Sequence, residues 1–153
     1  MSLLSEIKQT KPFASLEQEA MLSIERTAAV LGHGLAEAMK PFGVTPTQYN
    51  VLRILRGAGE TGLCRNDIRD RLVAQVPDVT RLLDRLEELE LIRRERDPHD
   101  RRLVNATITR DGLRLLQALD EPIAAFHKRQ LAHVGQRELR LLIDLLAVIR
   151  ETP

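Results

Sequence analysis

Four charged side chains within six residues, Asp97, Asp100, Arg101 and Arg102, make up the stretch of this chain best suited to chemistry. That chemistry is recognition of anions rather than bond-making. A guanidinium is planar, permanently charged, and donates two parallel hydrogen bonds to a phosphate. Held out on a thin ribbon, it also suits the minor groove of duplex DNA, whose negative potential deepens as the groove narrows. The flanking residues predict such a ribbon. Ile92, Arg94 and Arg96 alternate with Leu91, Arg93 and Glu95, and Val104, Ala106 and Ile108 alternate with Asn105, Thr107 and Thr109. A hairpin tip usually carries Gly or Asn, and this one carries charge. Taken alone, a charged turn is better described as solubilising surface. The residues before it decide between the two.

Two short helices are expected there, at about 65–73 and 77–90, the second opened by Pro77, with a brief turn between them. This is a helix-turn-helix arrangement, in which the second helix enters the major groove, and the hairpin behind it would then be a wing. On the second helix Val79, Leu82, Leu83, Leu86 and Leu89 form the buried face. Pro77, Thr80, Arg81, Asp84, Arg85 and Glu88 face outward. Only the N-terminal part of such a helix reaches base edges, so Gln75, Asp78, Thr80 and Arg81 are the candidate base contacts, with Arg85 nearer the backbone. Asp78 could accept from cytosine N4 or stabilise the helix dipole. Arg81 could read guanine or pair with Asp84 three residues on.

The remaining elements would support this unit. Leu16, Ala20, Ile24, Ala28, Leu31, Leu35 and Met39 recur at helical spacing over 14–40, and Pro41 ends the run. Thr45-Pro46-Thr47-Gln48 combines an N-cap, Pro at the first helical position and a capping-box Gln, opening a helix that stops at Gly57 and Gly59. Thr109 caps a long helix toward His133, with Pro122 expected to bend it, and Gly135 precedes a last helix at 136–150. That last helix carries two apolar stripes. Leu139, Leu142, Ile143, Leu146 and Ile149 form one, and Leu141, Leu145 and Val148 the other. Two stripes imply packing on the chain itself and on a second copy, or else burial inside a monomer.

The whole chain, 153 residues with 43% hydrophobic content, accommodates one domain with a proper core. An aromatic content of 3% argues against a stacking platform for single strands. A net charge of +1 places any nucleic-acid role in local rather than bulk charge. One cysteine excludes an internal disulfide and a cysteine-based zinc site. The opening MSLLSEIKQTKPF lacks a signal-peptide pattern, and no apolar run reaches membrane-spanning length, so a cytoplasmic protein with no membrane partner is expected. No catalytic arrangement, phosphate-cradling Gly loop or cofactor motif stands out, and Glu87-Glu88 reads as solvated helix surface. The histidines His33, His99, His127 and His133 lack metal-ligand spacing. Cys64 falls at a helix N-cap beside Arg65, a setting that favours thiolate and an oxidation switch, or else it is a small packed residue.

Residues 45–112 resemble the winged helix-turn-helix of MarR-type bacterial transcription regulators, in TPTQYNVLRIL, VTRLLDRLEELELIRRERDPHDRR and ATITRDG. The most specific part is Asp100-x-Arg102 followed by Ile108-Thr109 and Gly112, and flanking helices extend the likeness over nearly all of the chain. The resemblance implies a mainly α fold with a small β-hairpin wing. A single domain, 1–153, would hold a DNA-binding lobe at 45–112 and dimerisation helices at 14–40 and 113–150. It implies a homodimer on a pseudo-palindromic operator of double-stranded DNA, acting as a repressor relieved by a small-molecule effector. Arg102 would enter the minor groove, Asp100 would hold it and Arg101 would touch phosphate. His33, Phe42, Tyr49 and Arg53 are candidates for the effector site. A redox regulator switching through Cys64, or a winged-helix docking module without DNA binding, are the alternatives. The turn Ala74-Gln75-Val76-Pro77-Asp78 has fewer hydroxyl residues than the family pattern, so no operator sequence carries over.

Overall fold

The computed structural model describes residues 2–151; the outermost positions of the expected domain, 1 and 152–153, lie outside them. The order is α1 (Leu3–Glu6), α2 (Leu16–Met39), α3 (Pro46–Ala58), β1 (Leu63–Cys64), α4 (Arg65–Arg71), α5 (Val79–Glu88), β2 (Ile92–Arg96), β3 (Val104–Ile108), α6 (Arg110–Leu131) and α7 (Gln136–Arg150). Periodicity and capping account for most of these bounds. At α3 the Thr45 hydroxyl accepts from Gln48 N at 3.2 Å while Gln48 Oε1 accepts from Thr45 N at 3.0 Å, the reciprocal box the sequence predicts. The helix then runs through Gly57 and ends at Ala58, because Gly59 turns to φ 67°.

The hairpin belongs to a three-stranded antiparallel sheet of order β1-β3-β2, so the ribbon is wider than its alternation suggests. β2 and β3 pair from Ile92 with Ile108 to Arg96 with Val104, and β1 adds Leu63 to Ala106 and Cys64 to Asn105. Two residues are too few to show a period, which hides β1 in the sequence. Gly62 makes the pairing possible. It sits at φ 66°, and a Cβ there would fall against the Ala106 carbonyl.

One core joins the sheet to the helices. Met39, Val51, Leu52, Leu55, Ile68, Leu86, Leu116 and Leu119 are its largest fully enclosed members. Each such side chain contributes roughly 1.5–3 kcal/mol of transfer free energy. α2 lies close to α6 where Gly34 faces the Phe126 ring; a Cβ there would approach that ring to 3.3 Å. α6 continues unbroken through Pro122.

Thr109 joins three elements. Its hydroxyl accepts from Gly112 N at 3.1 Å, capping α6, and donates to the Glu90 carbonyl at 2.7 Å. Its own N–H donates to Leu91 O at 3.0 Å. Just upstream, α5 closes with Leu91 N on Leu86 O and Glu90 N on Glu87 O, with Glu90 in the left-handed region at φ 58°.

α7 corrects one expectation. None of its residues is buried; Leu139 and Leu146 are half-covered, while Leu141, Leu142, Ile143, Leu145, Val148 and Ile149 are exposed. Burial inside a monomer is therefore excluded, and the first apolar stripe is covered only in part, at Leu139 and Leu146. α6 ends at Leu131, and Gly135, in extended backbone, takes the N-cap position of α7. Among the described residues no helix is long and apolar enough to cross a membrane.

Candidate nucleic-acid interface

The helix-turn-helix is α4 and α5, with a longer turn than expected. α5 begins at Val79 rather than Pro77 because Asp78 is its N-cap, accepting from Arg81 N at 2.9 Å. The dipole-and-cap role of Asp78 is thus filled in the free protein. The turn is tied to α3 by Val73 N, which donates to Asn50 Oδ1 at 2.9 Å. Val79, Leu83 and Leu86 are buried, and Leu82 and Leu89 pack against the core from its edge. Gln75, Thr80, Arg81 and Arg85 are exposed on the opposite side.

Ion pairing on α5 differs from the expected pattern. Asp84 does not serve Arg81; its Oδ1 accepts from Arg94 Nη2 on β2 at 2.6 Å. Glu87, expected as solvated surface, is half-covered and takes both Nε and Nη2 of Arg94. The Arg94 guanidinium holds the Glu87 carboxyl below the usual carboxylate range. Arg85 pairs with Glu88 at 3.0 Å, a weak exposed bridge. Thr80 Oγ1 accepts from Arg65 Nη1 at 3.2 Å, so the first residue of α4 reaches across to the start of α5.

The wing tip is organised by Asp97. Its Oδ1 accepts from His99 N at 2.7 Å and Asp100 N at 2.9 Å, while Oδ2 accepts from Asn105 Nδ2 at 2.7 Å. An Asx turn of this kind bends the chain without Gly, which explains the absence of the usual tip residues. The Asp100 and His99 backbone donors hold the Asp97 carboxyl below its ordinary range. Asp100 Oδ1 accepts from Arg102 N at 3.0 Å and stands 3.9 Å from Arg102 Nε, so it braces the backbone of Arg102 more than its guanidinium. The Arg102 side chain is 94% exposed and projects beyond the sheet. Arg101 contributes its carbonyl to Arg96 Nη1 at 3.1 Å and leaves its side chain at the surface.

Between the wing and α5 a cleft of about 400 Å³ is lined by Cys64, Arg65, Thr80, Arg94, Arg102 and Val104, among others. Cys64 is half-covered there, and its Sγ donates to Asp67 Oδ2 at 3.2 Å. It occupies the N-cap of α4 without capping it, and Arg65 is directed to Thr80. The thiol thus faces a carboxylate where the sequence suggested a cation. The effector candidates gather only in part. The Arg53 guanidinium lies 5.9 Å from the centroid of the buried Tyr49 ring, Phe42 packs against the core, and His33 is exposed near Glu37 on α2.

Sequence reasoning missed Asp97, Asn105, Asn50, Glu87 and Arg65 as positioning groups. A signal existed for one of them. Arg94 occupies the same strand register as the buried Ile92, and an Arg there needs an acidic partner from the element beneath.

A helix pair, a sheet behind it and a projecting arginine tip define a winged helix-turn-helix, the architecture of a class of transcription regulators. The family comparison narrows this further. The MarR family profile matches residues 42–103. The chain is 30% identical over 104 residues to the HTH-type transcriptional regulator MhqR of Bacillus subtilis, covering 68% of this chain and 70% of that protein. Among solved structures, the MarR transcription factor from Planctomyces limnophilus is 41% identical, covers 90% of this chain and 99% of its own, and superposes with a TM-score of 0.68. The MepR–DNA complex of S. aureus is 25% identical, covers 90% and 97%, and has a TM-score of 0.73. The chain belongs to the MarR family.

Proposed function

We propose that the chain is a repressor that binds a pseudo-palindromic operator as a homodimer in the cytoplasm. The lobe 45–112 reads DNA, and the helices at 14–40 and 113–150 bring two copies together. The observation that carries the reading is the exposure of Arg81 and Arg85 on α5 and of Arg102 on the wing, with Thr80 of α5 and Arg102 lining one cleft. α5 enters the major groove, with Gln75, Asp78, Thr80 and Arg81 toward base edges and Arg85 toward the backbone. The wing 97–102 enters the minor groove through Arg102, with Asp100 shaping the tip and Arg101 on phosphate. MepR, as seen with DNA, supports the same use of the fold here.

Homodimerisation is supported by the apolar surface of α7, where Leu141, Ile143, Leu145 and Val148 are each more than half exposed. Contiguous apolar surface of this kind marks an association site. Relief by a small molecule is supported by the family resemblance, and the cation–π pair of Arg53 on the buried Tyr49 ring is where an anionic aromatic ligand would be met.

Selection of fragments from the source genome, followed by gel shift of the recovered duplexes, tests the reading. Sequence-selective binding that weakens steeply with salt is expected. Absence of duplex binding at low salt overturns it in favour of a protein-docking module. Loss of binding on peroxide treatment of the native chain but not of Cys64→Ser would instead establish the cysteine switch.

A further inference from the structure

Arg94 makes more contacts than a wing strand requires. Its side chain, 24% exposed, is turned onto α5. Nη2 donates to Asp84 Oδ1 at 2.6 Å and to Glu87 Oε2 at 2.7 Å, and Nε donates to Glu87 Oε2 at 3.0 Å. Its main-chain N–H donates to Glu87 Oε1 at 3.0 Å. β2 is an edge of the sheet, where alternate N–H groups have no neighbouring strand. At Arg94 the Glu87 carboxylate takes that strand's place. One acid therefore grips both the backbone and the guanidinium of the same residue, which fixes the strand's distance from the helix and its rotation about its own axis. Asp84, one turn away on α5, holds the guanidinium from a second side.

The placement of this grip gives it a consequence. Asp84 and Glu87 lie on the flank of α5, between the buried Leu83 and Leu86 and the exposed Arg81, Arg85 and Glu88. Two residues beyond Arg94, β2 ends at Arg96 and the tip begins. We propose that Arg94, Asp84 and Glu87 form a clamp that sets the angle between the recognition helix and the wing, so that the two engage neighbouring grooves together. They are positioning residues and not DNA contacts. The inference rests on the DNA-binding reading above and adds to it the means by which the two reading elements are held in register.

Charge alone predicts the opposite effect. Removing an acid from a surface that meets a polyanion should tighten binding. If the clamp positions the wing, removing the acid should weaken it.

The test is a set of fluorescence-anisotropy titrations on a duplex bound by the native chain, with Glu87→Gln, Arg102→Ala and their combination, and melting temperatures alongside. Glu87→Gln keeps the shape and loses the charge that holds the guanidinium. It is expected to weaken binding roughly tenfold, the size of coupling seen within one hydrogen-bonded network. In the Arg102→Ala background it should add almost nothing, because placing the wing no longer matters once its arginine is gone. Asp84→Asn, the milder change, should show the same non-additivity with a smaller loss, and serves if Glu87→Gln folds poorly. Tighter or unchanged binding by Glu87→Gln, or an equal loss with and without Arg102, overturns the clamp. Failure of the native chain to bind any duplex overturns the parent reading as well, so the two failures are told apart.

Discussion

Replacing Gly112 by Ala sets two well-known effects against each other. Gly112 lies in the first turn of α6, is buried, and has no left-handed φ that would require glycine. By helix propensity alone, Ala should stabilise by about 1 kcal/mol. The surroundings say otherwise. A Cβ would press into the Leu91 carbonyl oxygen and stand 2.7 Å from Ile108 Cγ1. That carbonyl is backbone and already accepts from Thr109 N, so it cannot swing away as a side-chain tip would. Overpacking of this kind costs about 1–3 kcal/mol, and displacing the hydrogen bond about 1 more. The net change is a loss of about 2 kcal/mol, which for a chain of this size lowers the melting temperature by about 4–8 °C. Thermal unfolding followed by circular dichroism, at one fixed protein concentration, measures it. Gly57→Ala is the control, since Gly57 is helical and has open space at its Cβ, and a small gain is expected there. If Gly112→Ala also raised the melting temperature, the close packing of α6 on the start of β2 would carry no weight and the reasoning would fail.

Asp97→Ala should weaken operator binding while leaving global stability nearly unchanged, because it frees the N–H groups of His99 and Asp100 in an exposed tip; hydrogen exchange over 97–103 should rise in parallel, and an unchanged affinity would dismiss the Asx turn as functional. The Arg56–Asp120 pair, with bonds of 2.9 and 3.0 Å between α3 and α6, gives a pH prediction. The bonded Arg56 guanidinium holds the Asp120 carboxyl below its ordinary value, so its stabilisation is complete above the unfolded carboxylate range and is lost as pH falls through the lower folded value. Urea midpoints of the native chain and Asp120→Asn should therefore differ by a constant margin from pH 7 to about 5 and converge below about 4. Both side chains are about a third to a half exposed, so the margin at pH 7 is at most about 1 kcal/mol.

What the sequence made legible follows the range of each signal. Caps act within four residues, and Thr45 with Gln48, and Thr109 with Gly112, were readable as such. The apolar period of α5 likewise reports a buried face directly, whereas that of α2 locates the helix but leaves Leu16, Ala20 and Ala28 of its stripe exposed. The length of the turn before α5 was not readable, because Pro77 and Asp78 are both good openers and only the hydrogen bond to Arg81 N decides between them. Side-chain partners across elements were the least accessible. Asp84 has Arg81 three residues away and Arg94 ten residues away, and local spacing favours the first. The second wins because a half-buried strand arginine must be neutralised, whereas an exposed one is satisfied by water. β1 and the bare surface of α7 both depend on where other parts of the chain lie, and no local pattern encodes that.

Thr109 has a mechanical consequence. Its four hydrogen bonds run to the first turn of α6, where both Gly112 N and Leu113 N donate to it, to the end of α5 and to the start of β2, and its backbone continues β3. With so many arms on one residue there is no slack at this joint. A rotation of α6, the helix that runs from the wing toward the apolar surface of α7, must either break one of these bonds or turn the recognition helix and the wing by the same amount. The reading head can then be tilted as one piece from its far end, and a lever anchored at Thr109 needs no separate linkage to each groove.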